Sequence, residues 1–167
     1  SHGRAVPGAL PDREALRLLA PGAPPLPPEA AFQPTAVRIA WSSEHLHVAF
    51  HCIDRDVWGS YRGRNEPIYE EEVVELFLAT GPGPRRYVEL EANPCGAWFE
   101  ALVTSPEGRR ASMRVDRDWT CRGWERAGQV DGTLDRRDDL DRGWRVEWAI
   151  PFASLPGGRT PRPGERW

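Results

Sequence analysis

From Thr35 onward the apolar residues recur at every second position, the spacing of strands that bury one face. In "TAVRIAW", Val37, Ile39 and Trp41 fall on one side and Arg38 on the other. "LHVAFHCID" repeats the pattern with Leu46, Val48, Phe50 and Cys52, leaving His47 and His51 opposite, and "SSEH" between the two runs has turn chemistry. "EVVELFLA" is apolar on both faces except at Glu75, which predicts a central strand with a structural, partnered carboxylate. "RYVELEAN" turns Val88, Leu90 and Ala92 inward and Tyr87, Glu89 and Glu91 outward. After the turn "NPCG", the run "AWFEALV" returns as its hairpin partner. Near the end, "GWRVEWAIPF" aligns Trp144, Val146, Trp148 and Ile150. Short strands at this spacing predict an all-β, antiparallel, jelly-roll-like β-sandwich with little helix, in which Trp41, Trp144 and Trp148 are core.

The first part of the chain has no such period. Residues 1–34 are rich in Pro, Ala and Gly, and "PGAPPLPPEA" predicts extended chain packed on the domain. A short helix is expected in "PDREALRLL", capped by Asp12 and with Leu16 and Leu19 on one face. The 167 residues suit one domain, with the sandwich over 35–167.

Charge and composition remove several functions. The 25 acidic and 22 basic residues are interspersed, so no basic stripe predicts nucleic acid or anionic lipid as a partner. All the basic residues are Arg, which excludes chemistry carried by a lysine amine. No apolar run reaches the length of a membrane span, and no signal peptide opens the chain. Cys52, Cys95 and Cys121 have neither disulfide-framework nor zinc spacing, and Cys52 reads as a small core residue.

The ordered segments "TAVRIAWSSEHLHVAFHCIDRDVW", "IYEEEVVELFLATGPGPRRYVELEANPCGAWFE" and "GTLDRRDDLDRGWRVEWAIPFASL", followed by "PGERW", resemble the family 9 carbohydrate-binding modules in their stand-alone form, within the DOMON-like β-sandwiches. The resemblance covers roughly residues 32–167. It implies non-catalytic binding of a mono-, oligo- or polysaccharide, as an accessory to polysaccharide breakdown, in an extracellular or periplasmic setting. Members that bind sugar clamp a terminal ring between two aromatics. One of these stands directly before the acidic strand start, the position of Tyr69 here, where Trp is usual. The other lies in a closing segment beyond the equivalent of the last residue of this chain, which leaves Trp58 as the alternative second aromatic.

The residues support that chemistry on their own terms. An aromatic face stacks on the apolar C–H face of a pyranose, and carboxylates and guanidinium forks bond its hydroxyls. Tyr69 with Glu71 and Glu72, and Trp58 with Arg62, Arg64 and Asn65 of "DVWGSYRGRN", are therefore the expected sugar-binding residues. Each also has a plainer reading. The glutamates can guard a strand entrance, Trp58 can cap the sandwich edge, and the loop residues can be solvated. Glu89 and Glu91, about 7 Å apart on one strand face, supply the rival expectation of a glycoside-processing enzyme. A third expectation is a structural or partner-binding sandwich without sugar binding. No cofactor is required. Structural calcium, which the resemblance allows, would find oxygen ligands at Asp138, Asp139 and Asp141 in "DRRDDLDRG".

Overall fold

The structure is a computed structural model that describes residues 33–79, 81, 85–162 and 164. The helix expected over "PDREALRLL" and most of "PGERW" lie outside the described residues. Eight strands follow one another: β1 (Thr35–Trp41), β2 (His45–Ile53), β3 (Val74–Leu78), β4 (Arg86–Ala92), β5 (Trp98–Thr104), β6 (Arg114–Asp116), β7 (Glu125–Asp131) and β8 (Gly143–Pro151). They form two four-stranded antiparallel sheets, ordered β1-β2-β8-β7 and β3-β4-β5-β6. Helix among the described residues is confined to 3₁₀ turns at Ile68–Glu70, Arg110–Ser112 and Phe152–Ser154. The all-β sandwich follows from the alternation, because each sheet has one apolar face to bury and the other sheet offers the matching surface.

The first sheet contributes Val48, Phe50, Trp144, Val146, Trp148 and Ile150 to the core, and the second contributes Val74, Val88, Leu90 and Ala92. Trp148 is held edge-on by Phe50, at 5.0 Å between ring centroids, and by Trp124, at 5.2 Å. Trp98 turns inward against this core and Phe99 outward, as neighbours on a pleated strand must.

Three expectations change. Trp41 is on the inward side of β1, opposite Leu46, yet it is 37% exposed, with Val37 and Ile39 beside it at 37% and 50%. β1 is an edge strand of its sheet. β3 is likewise an edge strand, not a central one, and its outward apolar residue, Phe77, is 53% exposed. Glu75 is therefore an exposed carboxylate on an edge, where charge discourages further strand pairing.

Candidate functional site

The outward face of the second sheet carries a second, smaller cluster. Ile68, Ala97, Phe99 and Ala101 are buried together, with Tyr61 and Val73 packed against them. The 3₁₀ turn after Pro67 brings this about: Glu70 and Glu71 donate their backbone N–H groups to Pro67 and Ile68, which drives Ile68 inward to complete burial. Its neighbour Tyr69 is thereby turned out, 42% exposed. The Tyr69 ring meets Phe99 edge-on, with centroids 5.7 Å apart and planes at 89°. The Arg117 guanidinium lies over the same Phe99 ring at 5.3 Å and donates from Nη2 to the Tyr69 hydroxyl at 3.3 Å.

Phe99 is the cross-strand partner of Glu91, and Glu91 is in turn the partner of Glu75. The alternation therefore aligns Glu75, Glu89 and Glu91 on the face that presents Tyr69. Their exposures differ in order: Glu75 is exposed, Glu89 half-buried and Glu91 fully buried. The Glu91 carboxyl pairs with that of Glu89, and no other donor among the described residues reaches its oxygens. Burial, and then Glu89, push Glu91 up to about 8 from an ordinary value of 4.5. Burial raises Glu89 as well, and Arg117 opposes the rise in both. An exposed ring, a guanidinium and a carboxyl pair thus share one sheet face.

The other expected sugar-binding residues lie elsewhere or are engaged. The three glutamates that follow Tyr69 diverge: Glu70 approaches the Tyr61 hydroxyl, Glu71 accepts the Ser60 N–H at 2.6 Å, and Glu72 accepts the Trp58 N–H at 3.5 Å. Burial, followed by Asp54, raises Glu72 to about 8. Trp58 belongs to this second group, its ring covered by the Arg137 guanidinium at 4.8 Å. Arg62 donates to the Gly59 carbonyl at 2.6 Å and to Asp135 at 2.5 Å. Arg64 binds the buried Glu100 and reaches Thr120, both within the domain.

Asn65 sits in the left-handed region at φ 58°, where Asn is tolerated better than most side chains. It binds β5 like an added strand residue: its N–H donates to the Trp98 carbonyl at 2.8 Å and its side-chain oxygen accepts the Glu100 N–H at 2.9 Å. Its amide also donates to the Arg117 carbonyl at 3.0 Å, so Asn65 helps to place the guanidinium beside Tyr69.

The aspartate loop has structural work to do. Asp141 is buried and accepts the N–H groups of Val57 at 2.7 Å and Thr133 at 2.6 Å. Arg136 binds Asp138 at 2.9 Å and lies 3.8 Å from Asp139. Among the described residues, no three His, Cys, Asp or Glu side chains form a group that could hold a metal ion.

A cleft of about 450 Å³ opens at another place, between β7–β8 and the turn after β4, with Trp98 and Arg126 in its lining. The Arg126 guanidinium occupies the Trp98 face at 4.2 Å and the Trp124 face at 4.5 Å. Those aromatic faces carry a guanidinium, whereas the Tyr69 ring meets Phe99 edge-on and is 42% exposed.

Arg117 and Phe99 went unnoticed in the sequence. Phe99 joins Glu89 and Glu91 only through the β4–β5 register, and Arg117 follows the short β6 and has no periodic signal.

The architecture defines an antiparallel β-sandwich with one polar, aromatic-bearing outer face. No family model matches the chain. An 88-residue stretch, 51% of the chain, is 28% identical to a protein named "Extracellular protein" from the fungus Arthroderma benhamiae, and covers 40% of that protein. Among solved structures, a "putative carbohydrate-binding protein" from Bacteroides uniformis superimposes with a TM-score of 0.57 at 17% identity, over 73% of this chain and 54% of that one. The chain thus spans about half or less of the length of these similar proteins. No helix among the described residues is long and apolar enough to cross a membrane.

Proposed function

We propose that the chain is a non-catalytic carbohydrate-binding module of the family 9-like, DOMON-like kind, exported with a larger protein and serving polysaccharide breakdown as an accessory. The observation that carries this reading is the Tyr69 ring, exposed and held by Phe99 and Arg117 beside the Glu89–Glu91 pair. The ring offers a flat apolar platform to a sugar's C–H face. The half-buried Glu89 carboxyl accepts its hydroxyl hydrogens, and Arg117 supplies donors. Likeness in fold to a protein described as carbohydrate-binding supports the reading. Trp58, Arg62, Arg64, Asn65, Glu71 and Glu72 then act mainly by shaping the loops that carry Tyr69 and Arg117. Calcium, if bound, would serve the aspartate loop and not the sugar.

Glycoside cleavage is the less favoured reading. It needs two carboxyls on either side of the scissile bond, roughly 5 to 9.5 Å apart. Glu89 and Glu91 project side by side from one strand, and Glu91 is fully buried, so the two do not flank a ligand. The raised pKa of each member of the pair follows from burial first and from the neighbouring carboxyls after it.

The experiment is calorimetric titration with a panel of mono- and oligosaccharides against the wild type and Tyr69→Ala. Saturable heat with at least one sugar, lost in the variant, is expected. Absence of binding to every sugar overturns the reading, and so does binding that survives Tyr69→Ala unchanged.

A further inference from the structure

The inner face of β7 departs from the pattern that builds the rest of the core. Cross-strand pairing sets Arg126 opposite Trp148, Gly128 opposite Val146 and Val130 opposite Trp144, so all three lie on the side that faces the other sheet. A guanidinium and a glycine thus stand where apolar side chains would close the sandwich. The cleft of about 450 Å³ opens at this place, and its volume is in the range of small-ligand sites. The backbone does not require glycine at 128: a Cβ there would meet the Arg145 carbonyl oxygen at 3.7 Å, an ordinary contact. What the missing side chain provides is room.

Arg126 is anchored without being neutralised. Trp98 and Trp124 stack on its guanidinium, and Nη1 donates to the Trp124 carbonyl at 3.2 Å. Among the described residues no carboxylate lies within ion-pair distance of it, and none that lines the cleft is Asp or Glu. Glu100 acts on it from further off, but that carboxylate already holds Arg64, the Trp98 indole and the Cys121 N–H. Burial lowers the Arg126 pKa against the pull of Glu100, as expected of a cation short of compensation. The residue is nevertheless exposed, so a ligand can reach it. A guanidinium held flat by two rings is a fork prepared for a carboxylate, which accepts two parallel N–H groups.

We infer that this cleft is a second ligand site, for a sugar acid: the carboxylate of a uronic acid takes the Arg126 fork, and its ring fills the gap left at Gly128. β7 is an edge strand whose residues 128–130 line the cleft, so main-chain groups that no further strand among the described residues takes can bond the hydroxyls. Pro94 and Val130 offer apolar surface to the C–H groups of the ring. A neutral hexose brings the hydroxyls and leaves Arg126 unanswered, whereas an aromatic acid brings the carboxylate and no hydroxyls. The site stands apart from the Tyr69 face, because Trp98 and Phe99 are neighbours on β5 and point to opposite sides of it.

The test is calorimetric titration with glucuronate, glucose and benzoate at physiological salt, with Tyr69→Ala as the background so that the outer face does not contribute. Onto it are placed Arg126→Gln, Gly128→Val and, as a control of equal charge change, Arg86→Gln at the exposed start of β4. Glucuronate should bind the background protein at least about tenfold tighter than glucose or benzoate. Arg126→Gln and Gly128→Val should each weaken it by about tenfold or more, and Arg86→Gln should leave it unchanged. Unfolding midpoints check that each variant is folded. If Arg126→Gln loosens the tryptophan stack, Gly128→Val still decides, since it fills the cleft and keeps the guanidinium. Glucuronate that fails to bind overturns the inference, as does binding that survives Gly128→Val or is lost equally in Arg86→Gln. Benzoate bound as tightly as glucuronate overturns the assignment to a sugar acid. None of these outcomes bears on neutral sugar at Tyr69, which the wild-type titration tests separately.

Discussion

Arg64 reaches from its loop and donates from Nε to Oε1 of Glu100 at 2.8 Å, so a residue expected to meet a sugar is the partner of a buried carboxylate. Glu100 faces the sandwich interior, as its cross-strand partner Leu90 does, and its other oxygen accepts the Cys121 N–H at 2.7 Å. The pair ties the loop before Tyr69 and the segment after Arg117 to one strand.

Removal of that donor should therefore be felt in stability. Arg64→Ala leaves Glu100 Oε1 with the Trp98 indole N–H as its remaining donor, at 3.3 Å, and should destabilise by about 1 to 3 kcal/mol in urea unfolding. Arg62→Ala breaks a pair whose side chains are 49% and 44% exposed, and should change stability by about 1 kcal/mol or less. Equal effects would contradict the interior role given to Glu100.

Tyr69 should separate binding from folding. The ring is exposed, so Tyr69→Ala should leave the unfolding midpoint nearly unchanged while weakening sugar affinity by about tenfold or more. Tyr69→Phe keeps the stacking face and loses only the bond from Arg117, so its affinity should stay within about threefold of wild type. Trp58→Ala, whose ring is already covered by Arg137, should alter stability more than affinity.

Stability should fall as pH rises through neutrality. Glu72 and Glu91 are both raised from 4.5 to about 8, so between those values the folded chain holds protons that the unfolded chain has released. The unfolded state then binds fewer protons, which makes the slope of stability against pH negative in that window and flat on either side. Thermal unfolding followed across the window should show this decline. Glu91→Gln and Glu72→Gln should each flatten part of it, and the double variant should remove most of it. A wild-type midpoint independent of pH there would contradict the burial assigned to these carboxyls.

Asp141 should prove structural. Asp141→Ala leaves the N–H groups of Val57 and Thr133 without their acceptor, and about 1 to 3 kcal/mol of destabilisation is expected for each left buried and unpaired. Gly132→Ala should be as severe, because a Cβ there would stand 2.0 Å from the Asp141 carboxyl oxygen. Chemical denaturation of the two variants checks both expectations.

The sandwich was legible in the chain because burial on one face of a strand imposes a period of two, and that period is local. It placed Val48, Phe50, Trp144 and Trp148 in the core, and it turned Glu89 and Glu91 outward. It failed at β1 and β3, since period two says which way a side chain points but not whether another sheet lies over it. Trp41 was misjudged because its side chain stays partly exposed on edge strand β1, and Glu75 because β3 is an edge strand and not a central one.

The site was legible only in part. Tyr69 stood out as an aromatic before a charged strand start, but its companions come from distant segments. Phe99 depends on the β4–β5 register, and Arg117 on a loop held by Asn65. The expected companions in sequence, Glu71 and Glu72, turn away because successive residues after a 3₁₀ turn leave in different directions and find backbone donors on the 58–60 loop. Local pattern was enough for β1–β5 and β8 and for most of their inward faces, while β6 and β7 went unread. Tertiary structure alone decided which charges surround the Tyr69 ring, because charge and solvation at a point are set by every segment that folds back upon it.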